Sequence, residues 1–186
     1  MKKHIITGIK LTAICLVFFS GIYTLFILGV AQITPNKGKG EIVEVNGKKQ
    51  YVNIGQSFTE AKYFNSRPSA VAYNAAGSGG SNKGPSNPEY LAEVQKRIDT
   101  FLLQNPEIKK SEIPADLVTA SGSGLDPNIS VQAAKVQLKR IAKIRKIDEQ
   151  KLVHLITENT EKPLLGLFGP DKINVLKLNI ALEKLK

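Results

Sequence analysis

The chain has 186 residues, with 26 Lys and Arg against 16 Asp and Glu, one Cys and two His. This length favours one domain, and an apolar content of 42% excludes wholesale disorder. A single Cys excludes an internal disulfide framework, and two His leave little for a His-rich metal site, so no metal ligands are predicted. A net charge of +10 is typical of nucleic-acid-binding proteins, but the distribution of the charges changes that interpretation.

An uncharged segment near the N-terminus predicts a transmembrane helix over residues 11–31. It holds no charged residue, and 15 of the 20 residues from Leu11 to Val30 are apolar or aromatic. At ~1.5 Å per residue such a helix is about 30 Å long, the thickness of a bilayer core. Three lysines precede the span, and two occur in the fifteen residues after it. This bias predicts a cytoplasmic tail over residues 1–10 and a main domain outside the cytoplasm.

A cleavable signal peptide is the alternative interpretation of this segment. Gly29-Val30-Ala31 is an acceptable small-residue cleavage site before Gln32. A signal h-region spans about 7–15 residues, and this one is longer, so a retained anchor is favoured. A lipoprotein anchor is disfavoured because Cys15 follows Ile14 in the middle of the span. Either main interpretation places residues 32–186 beyond the membrane.

The part of the chain beyond the span holds 23 basic and 16 acidic residues, a charge of +7. Its densest basic run would align four lysines along one helix face: Lys135, Lys139, Lys143 and Lys146. That run lacks interleaved aromatics, and an outward-facing domain rarely meets nucleic acid. We therefore predict a solvated helix face and no nucleic-acid partner, with an acidic partner or lipid headgroups as alternatives.

The remaining elements predict an α+β fold: a compact α/β domain over residues 41–186, with a helix-rich C-terminal half. Residues 32–40 resemble a flexible linker. Asn46-Gly47 between the β-prone runs 42–45 and 50–54 predicts a hairpin, and residues 65–88 form a long polar loop. Gly166 to Pro170 is a predicted turn. Four helices are predicted from their caps and apolar spacing: Asn87 to Asn105, from Ser130 through Ala142, from Asp148 through Ile156, and Asn174 to Leu185.

Two loops rich in Ser, Gly and Asn, residues 77–88 and 120–130, each lead into a capped helix. One interpretation is that they present N–H and hydroxyl groups at a surface, for a polar partner or an anion. The other is that their glycines merely permit tight turns. Gly84 is followed by Pro85, which excludes a Walker loop, and Asp126 before Pro127 is expected to fix a turn. His154, the sole His outside the tail, lies in a predicted helix, so no catalytic residues are predicted. An exported, membrane-anchored hydrolase or anion-binding protein using these loops remains the alternative function.

Short polar strings in order over residues 54–182 resemble the C chain of the potassium-transporting ATPase, the KdpC family. They are Ile54-Gly55-Gln56-Ser57-Phe58, Tyr63-Phe64, Arg67-Pro68-Ser69-Ala70, Ser78 to Asn82, Pro85 to Pro88, Thr119 to Asp126, Gln137, Arg140, Arg145, Pro163-Leu164 and Asn174 to Leu182. The resemblance implicates the following residues in contacts with partners or nucleotide: Arg67, Pro68, Ser69, Ser78, Gly79, Gly80, Ser81, Asn82, Ser86, Asn87, Pro88, Ser121, Gly122, Ser123, Gly124, Leu125, Asp126, Gln137, Arg140 and Arg145. Departures from the usual family pattern occur at Lys83, Asn128, Val131 and 168–172.

The resemblance implies a non-catalytic accessory subunit of a high-affinity, ATP-driven K⁺ import complex in the bacterial inner membrane. Its expected partners are a channel-like K⁺-translocating subunit and a P-type ATPase subunit. The family's C chain is regarded as an assembly subunit and has been proposed to raise the ATP affinity of the ATPase subunit. ATP is thus implied through the complex, and no cofactor is assigned to this chain. Because ATP is cytoplasmic, loops outside the cytoplasm would contact the channel-like subunit, and any effect on ATP affinity would be allosteric.

Overall fold

The computed structural model describes residues 2–45 and 47–185, and the chain divides into two compact units at Glu41 and Ile42. The N-terminal unit is one continuous helix over Lys2–Ile33, built from α1 (Lys2–Leu16), a π-helical stretch (Val17–Tyr23) and α2 (Thr24–Ile33). It is long and apolar enough to cross a membrane. The chain is helical over residues 11–31, where the transmembrane helix was predicted. The same helix also includes residues 2–10 of the predicted tail and Gln32 and Ile33 of the predicted linker. The helix ends at Thr34, whose backbone is extended.

The second unit combines two small sheets with five α-helices. Its elements in chain order are β1 (Ile42–Val45), β2 (Lys48–Tyr51), α3 (Pro88–Gln104), β3 (Asn128–Ile129), α4 (Val131–Lys135), α5 (Leu138–Arg145), α6 (Glu149–Glu158), β4 (Thr160–Glu161), β5 (Lys172–Asn174) and α7 (Val175–Lys184), with 3₁₀ turns at Lys110–Glu112 and Ala115–Leu117. The α+β class and the helix-rich second half are confirmed.

The predicted hairpin is formed by β1 and β2. They pair antiparallel with Val45 opposite Lys48, and Gly47 has a φ of +73°, as a tight two-residue turn requires. The second strand covers 48–51 rather than the predicted 50–54. The two-residue turn places Lys48 opposite Val45, so pairing begins directly after the turn and ends with Tyr51 opposite Ile42. Asn46 lies outside the described residues.

A second, three-stranded sheet in the order β3-β5-β4 was not predicted from the sequence. All its pairs are antiparallel, and its strands have only two or three residues each, too short for an alternating pattern. Ile173 of β5 is fully buried. The core gathers around it from α4 to α7, with these side chains at its centre: Phe64, Ile141, Leu152, Ile156, Leu178 and Leu182.

The single helix predicted from Ser130 through Ala142 is wrong. At Val136 and Gln137 ψ opens to −14° and −10°, and α5 begins again at Leu138. Gln137 is fully buried, and its Oε1 accepts the N–H of Asn65. The predicted stripe of four lysines is therefore broken: Lys135 belongs to α4, while Lys146 ends α5 in a left-handed conformation with a φ of +56°.

Candidate functional site

The two Ser/Gly loops lie against each other. We call residues 67–86 the Arg67 loop and residues 119–126 the Gly124 loop. The N–H of Gly79 donates to the carbonyl of Ser123 at 2.9 Å, and the Ser69 hydroxyl donates to the carbonyl of Gly124 at 2.6 Å. The N–H of Ser121 donates to the carbonyl of Pro68 at 3.2 Å. Segments about fifty residues apart thus form one surface.

Glycine permits this close approach. Gly124 has a φ of +67°, and a Cβ there would lie 2.5 Å from Cγ2 of Val71 and 2.8 Å from the Gly79 carbonyl oxygen. A Cβ on Gly80 would lie 3.0 Å from the carbonyl oxygen of Gly122. These glycines therefore allow the close contact between the two loops.

The hydroxyl groups of the loops also bond inside the chain. Ser78 Oγ donates to the carbonyl of Ser123 at 2.9 Å, and Ser123 Oγ accepts the N–H of Leu125 at 3.1 Å. The Leu125 carbonyl accepts the N–H of Gly55 at 2.8 Å. Ser121 is buried. The hydroxyls of Ser69 and Ser78 and the N–H groups of Gly79 and Ser121 thus join the two loops.

An ion pair joins Arg67, the first residue of the Arg67 loop, to Asp126, the last residue of the Gly124 loop. Arg67 Nη1 lies 3.0 Å from Asp126 Oδ2, and each side chain is 28% exposed. Asp126 Oδ1 also accepts the N–H of Asn128 at 3.0 Å, which confirms the predicted turn. The Tyr73 hydroxyl donates to the Arg67 carbonyl, and burial raises the pKa of Tyr73. The sequence indicated the turn but not the ion pair, whose partners are 59 residues apart.

The outer edge of the Arg67 loop is exposed. Ser81, Asn82 and Ser86 face solvent, and Asn82 adopts a φ of +53°. Asn87 then caps α3 as predicted, since its Oδ1 accepts the N–H of Tyr90 at 2.9 Å, and Pro88 is the first helical residue. Ser78, Pro88, Gly122 and Ser123 of the predicted site are exposed as well.

Gln137 and Arg140 point inward and hold the segment before the Arg67 loop. Gln137 Oε1 accepts the N–H of Asn65 at 2.8 Å and Arg140 Nη2 at 2.7 Å. Arg140 Nη2 also donates to the carbonyl of Tyr63 at 3.0 Å. Burial lowers the pKa of Arg140 to about 10, so the guanidinium stays charged at neutral pH.

Arg145 holds the same segment from its other end. Its Nε donates to the Lys62 carbonyl at 3.0 Å, its guanidinium lies 5.3 Å from the Tyr63 ring centroid, and it pairs with Glu183. Hydrogen bonds from the Tyr63 hydroxyl and then from Arg145 lower the pKa of Glu183. Gln137, Arg140 and Arg145 are thus brought together as a clamp on residues 62–65.

Asn179 completes this clamp and was not singled out from the sequence. Its Oδ1 accepts the N–H of Phe64 at 2.9 Å, and its Nδ2 donates to the Phe64 carbonyl at 3.0 Å. Asn179 is 2% exposed. The sequence does carry a signal for this contact. Asn179 lies in the apolar stripe of α7, three residues before Leu182. A polar side chain buried there needs a hydrogen-bond partner.

His154 lies apart from the candidate serines. Its ring is exposed on α6, with Nδ1 3.3 Å from Glu158 Oε2. Within residues 2–45 and 47–185, no hydrogen bond joins it to Ser78 or Ser121, and no cluster of three potential metal ligands occurs. The arrangement gives no specific support to the hydrolase alternative.

Comparison with known proteins then identifies the family. The model of the KdpC family, described as the K⁺-transporting ATPase c chain, matches residues 5–184. The chain belongs to the KdpC family. The potassium-transporting ATPase KdpC subunit of Flavobacterium psychrophilum is 57% identical over 99% of this chain and 100% of that protein. The protein of the same name from Flavobacterium johnsoniae is 56% identical over 99% of this chain and 100% of that protein. The one from Caldanaerobacter subterraneus is 46% identical over 100% of this chain and 98% of that protein. The resemblance stated from the polar strings is confirmed.

Proposed function

We propose that the chain is the accessory subunit of an ATP-driven K⁺ importer, anchored by its N-terminal helix and acting in assembly without chemistry of its own. The match to the KdpC family over residues 5–184 carries this proposal, because it includes most of the apolar helix as well as the folded domain. The inward hydrogen bonds of the Ser/Gly loops favour an interaction role over a catalytic one.

Deletion and copurification test this role. Removing the gene from its bacterium should abolish high-affinity K⁺ uptake or assembly of the complex, and a plasmid copy should restore both. The tagged chain, purified in mild detergent, should bring down a channel-like subunit and a P-type ATPase subunit. Normal uptake and an intact complex without the chain would contradict the proposal.

The domain over residues 42–186 is proposed to lie outside the cytoplasm, at the bacterial inner membrane. The lysines before the span support this orientation. A phosphatase fused after Lys186 should be active, whereas a fluorescent reporter that matures only in the cytoplasm should be dark at the same position. The opposite pair of results would contradict the orientation.

The exposed edge of the Arg67 loop is proposed to contact the outer face of the channel-like subunit. Because Cys15 is the sole cysteine, Cys15→Ser gives a background for single-cysteine probes. A photo-crosslinker on Asn82→Cys should join the chain to the channel-like subunit in the complex, and one on the exposed Gln132→Cys of α4 serves as the matched control. Equal crosslinking from both positions would contradict the assignment.

Any effect of the chain on ATP affinity is then proposed to be transmitted through the complex, since ATP is cytoplasmic. The complex should show a higher KM for ATP when the chain is removed. A photoreactive ATP analogue should label the ATPase subunit in the intact complex but not this chain. Specific labelling of the Arg67 loop or the Gly124 loop would contradict the allosteric route.

A further inference from the structure

A narrow loop between β4 and β5 exposes four large apolar side chains. Leu164, Leu165, Leu167 and Phe168 are 70%, 80%, 80% and 64% exposed. We call residues 164–168 the apolar tip. The other exposed large apolar residues described in the second unit are separated from one another in sequence: Ile42, Tyr51, Leu91, Leu103, Ile144 and Val153. A concentrated apolar surface of this kind marks an interaction site, whereas single exposed residues do not.

The backbone of the apolar tip is held in shape by its own hydrogen bonds. Leu164 and Phe168 exchange N–H to carbonyl bonds of 3.3 and 3.1 Å, and the N–H of Gly166 donates to the carbonyl of Pro163 at 2.9 Å. Leu165 and Gly166 have φ values of +55° and +72°. The turn therefore satisfies the N–H groups of Leu164, Gly166, Leu167 and Phe168 internally and leaves the apolar side chains to solvent, which lowers the cost of placing it in an apolar medium.

Charged pairs form a collar at the base of this loop. Lys162 Nζ lies 2.7 Å from Asp171 Oδ2, and Lys172 Nζ lies 3.6 Å from Glu161 Oε2. An apolar end above a charged base matches the change from hydrocarbon to headgroups at a bilayer surface.

The connection to the N-terminal helix limits how far the start of the second unit can lie from the end of that helix. Eight residues, 34–41, separate Ile33 from Ile42. Fully extended they span at most about 30 Å, at 3.3–3.6 Å per residue. Once the helix is anchored, Ile42 lies within this distance of Ile33, whichever side of the membrane the domain occupies.

We propose that the apolar tip inserts its Leu and Phe side chains into the lipid leaflet that faces the domain. This inference rests on the membrane anchoring in the proposed function, but not on the orientation or the partner subunits. It gives the domain a second attachment to the membrane, which would restrict its rotation about the linker.

The absence of Trp from the chain makes a direct test available. Three single-Trp variants of the full chain are reconstituted in phosphatidylcholine vesicles with or without bromine on the acyl chains. Phe168→Trp probes the apolar tip, Phe19→Trp probes the helix, and Leu103→Trp is a matched control at an isolated leucine that is 84% exposed. Circular dichroism checks that each variant keeps its fold.

Insertion predicts blue-shifted emission and loss of fluorescence in brominated lipid for Phe168→Trp and Phe19→Trp, but not for Leu103→Trp. Adding Leu165→Asp and Leu167→Asp to the Phe168→Trp variant should restore the fluorescence.

Quenching of Phe19→Trp without quenching of Phe168→Trp would overturn the inference and leave the anchor intact. An unquenched Phe19→Trp would overturn the anchor and the inference with it. Equal quenching at Leu103→Trp, or a blue shift of Phe168→Trp only after the partner subunits are added, would also overturn insertion of the apolar tip.

Discussion

At the scale of single residues, the absence of one methyl group decides how two loops meet. Gly124 combines a left-handed backbone with contacts to Val71 and to the Gly79 carbonyl that leave no room for a Cβ. Its neighbour Gly122 has open space where a Cβ would be and no left-handed φ. The two glycines look alike in the sequence, yet only the first is required by the packing.

Gly124→Ala should therefore lower the free energy of unfolding by about 1–3 kcal/mol, because it adds backbone strain and a clash. Gly122→Ala is the matched control and should change it by less than about 0.5 kcal/mol. Chemical denaturation of the full chain in detergent measures both. Equal losses would mean that the loops do not meet as described.

Glu183 provides a test by pH. The Tyr63 hydroxyl and Arg145 lower the pKa of Glu183 in the folded chain below its unfolded value of about 4.3. The resulting stability is present above that unfolded value and is lost as the pH falls through the folded pKa. The difference in unfolding free energy between the natural chain and Glu183→Gln should thus be constant near neutrality and shrink under acid. Tyr63→Phe should reduce this acid dependence, and a difference independent of pH would contradict it.

At the scale of elements, caps begin the helices where the sequence places them, but packing decides where one helix ends. Ser130 Oγ accepts the N–H of Ala133 at 3.0 Å, as expected of a cap. The interruption at Val136 and Gln137 has no local breaker, since neither residue is Gly or Pro. It allows the buried Gln137 amide to reach Asn65, 72 residues earlier.

Ser130→Ala should destabilise the chain by about 1 kcal/mol, because it removes the acceptor at the start of α4. Ser130→Thr keeps a hydroxyl and should retain most of the stability. Thermal unfolding followed by circular dichroism compares the three chains. If Thr cost as much as Ala, the loss would not come from the hydroxyl that caps α4, because Thr retains a hydroxyl.

At the scale of the whole molecule, two asparagines at the C-terminal end hold segments from the beginning of the domain. Asn174 Nδ2 donates to the carbonyl of Val52 at 2.7 Å, and Asn179 makes both hydrogen bonds to Phe64. These contacts span 122 and 115 residues. Arg145 and Arg140 add further hydrogen bonds to the same early segment. Polar contacts as well as the apolar core therefore hold this segment in the fold.

Asn179→Ala should cost about 2–4 kcal/mol, because it leaves two buried backbone groups of Phe64 without partners. Asn53→Ala, at an exposed position, is the matched control and should be nearly neutral. Hydrogen exchange should show loss of protection at Phe64 as well as in α7. Loss confined to α7 would contradict the long-range clamp.

Much of this architecture could be predicted, and the exceptions share a cause. Asn87, Ser130 and Asp148 were recognised as caps because their hydrogen bonds run to residues two or three positions later. The three-stranded sheet was missed because its short strands derive their pairing from contacts distant in sequence. Gln137, Arg140 and Arg145 were marked by family resemblance, but their inward orientation depends on residues 62–65.

The sequence alone determined the long apolar helix, the positive charge that follows it, the starts of α3, α4, α6 and α7, and the family. These are local properties of spacing, charge and residue type, so they do not require knowledge of the fold. Only the tertiary structure decided that the Ser/Gly loops join each other, that the arginines form a clamp and that the apolar tip is left exposed. Those outcomes depend on which distant groups satisfy one another's hydrogen bonds and which apolar side chains find no partner, and a linear pattern does not contain that information.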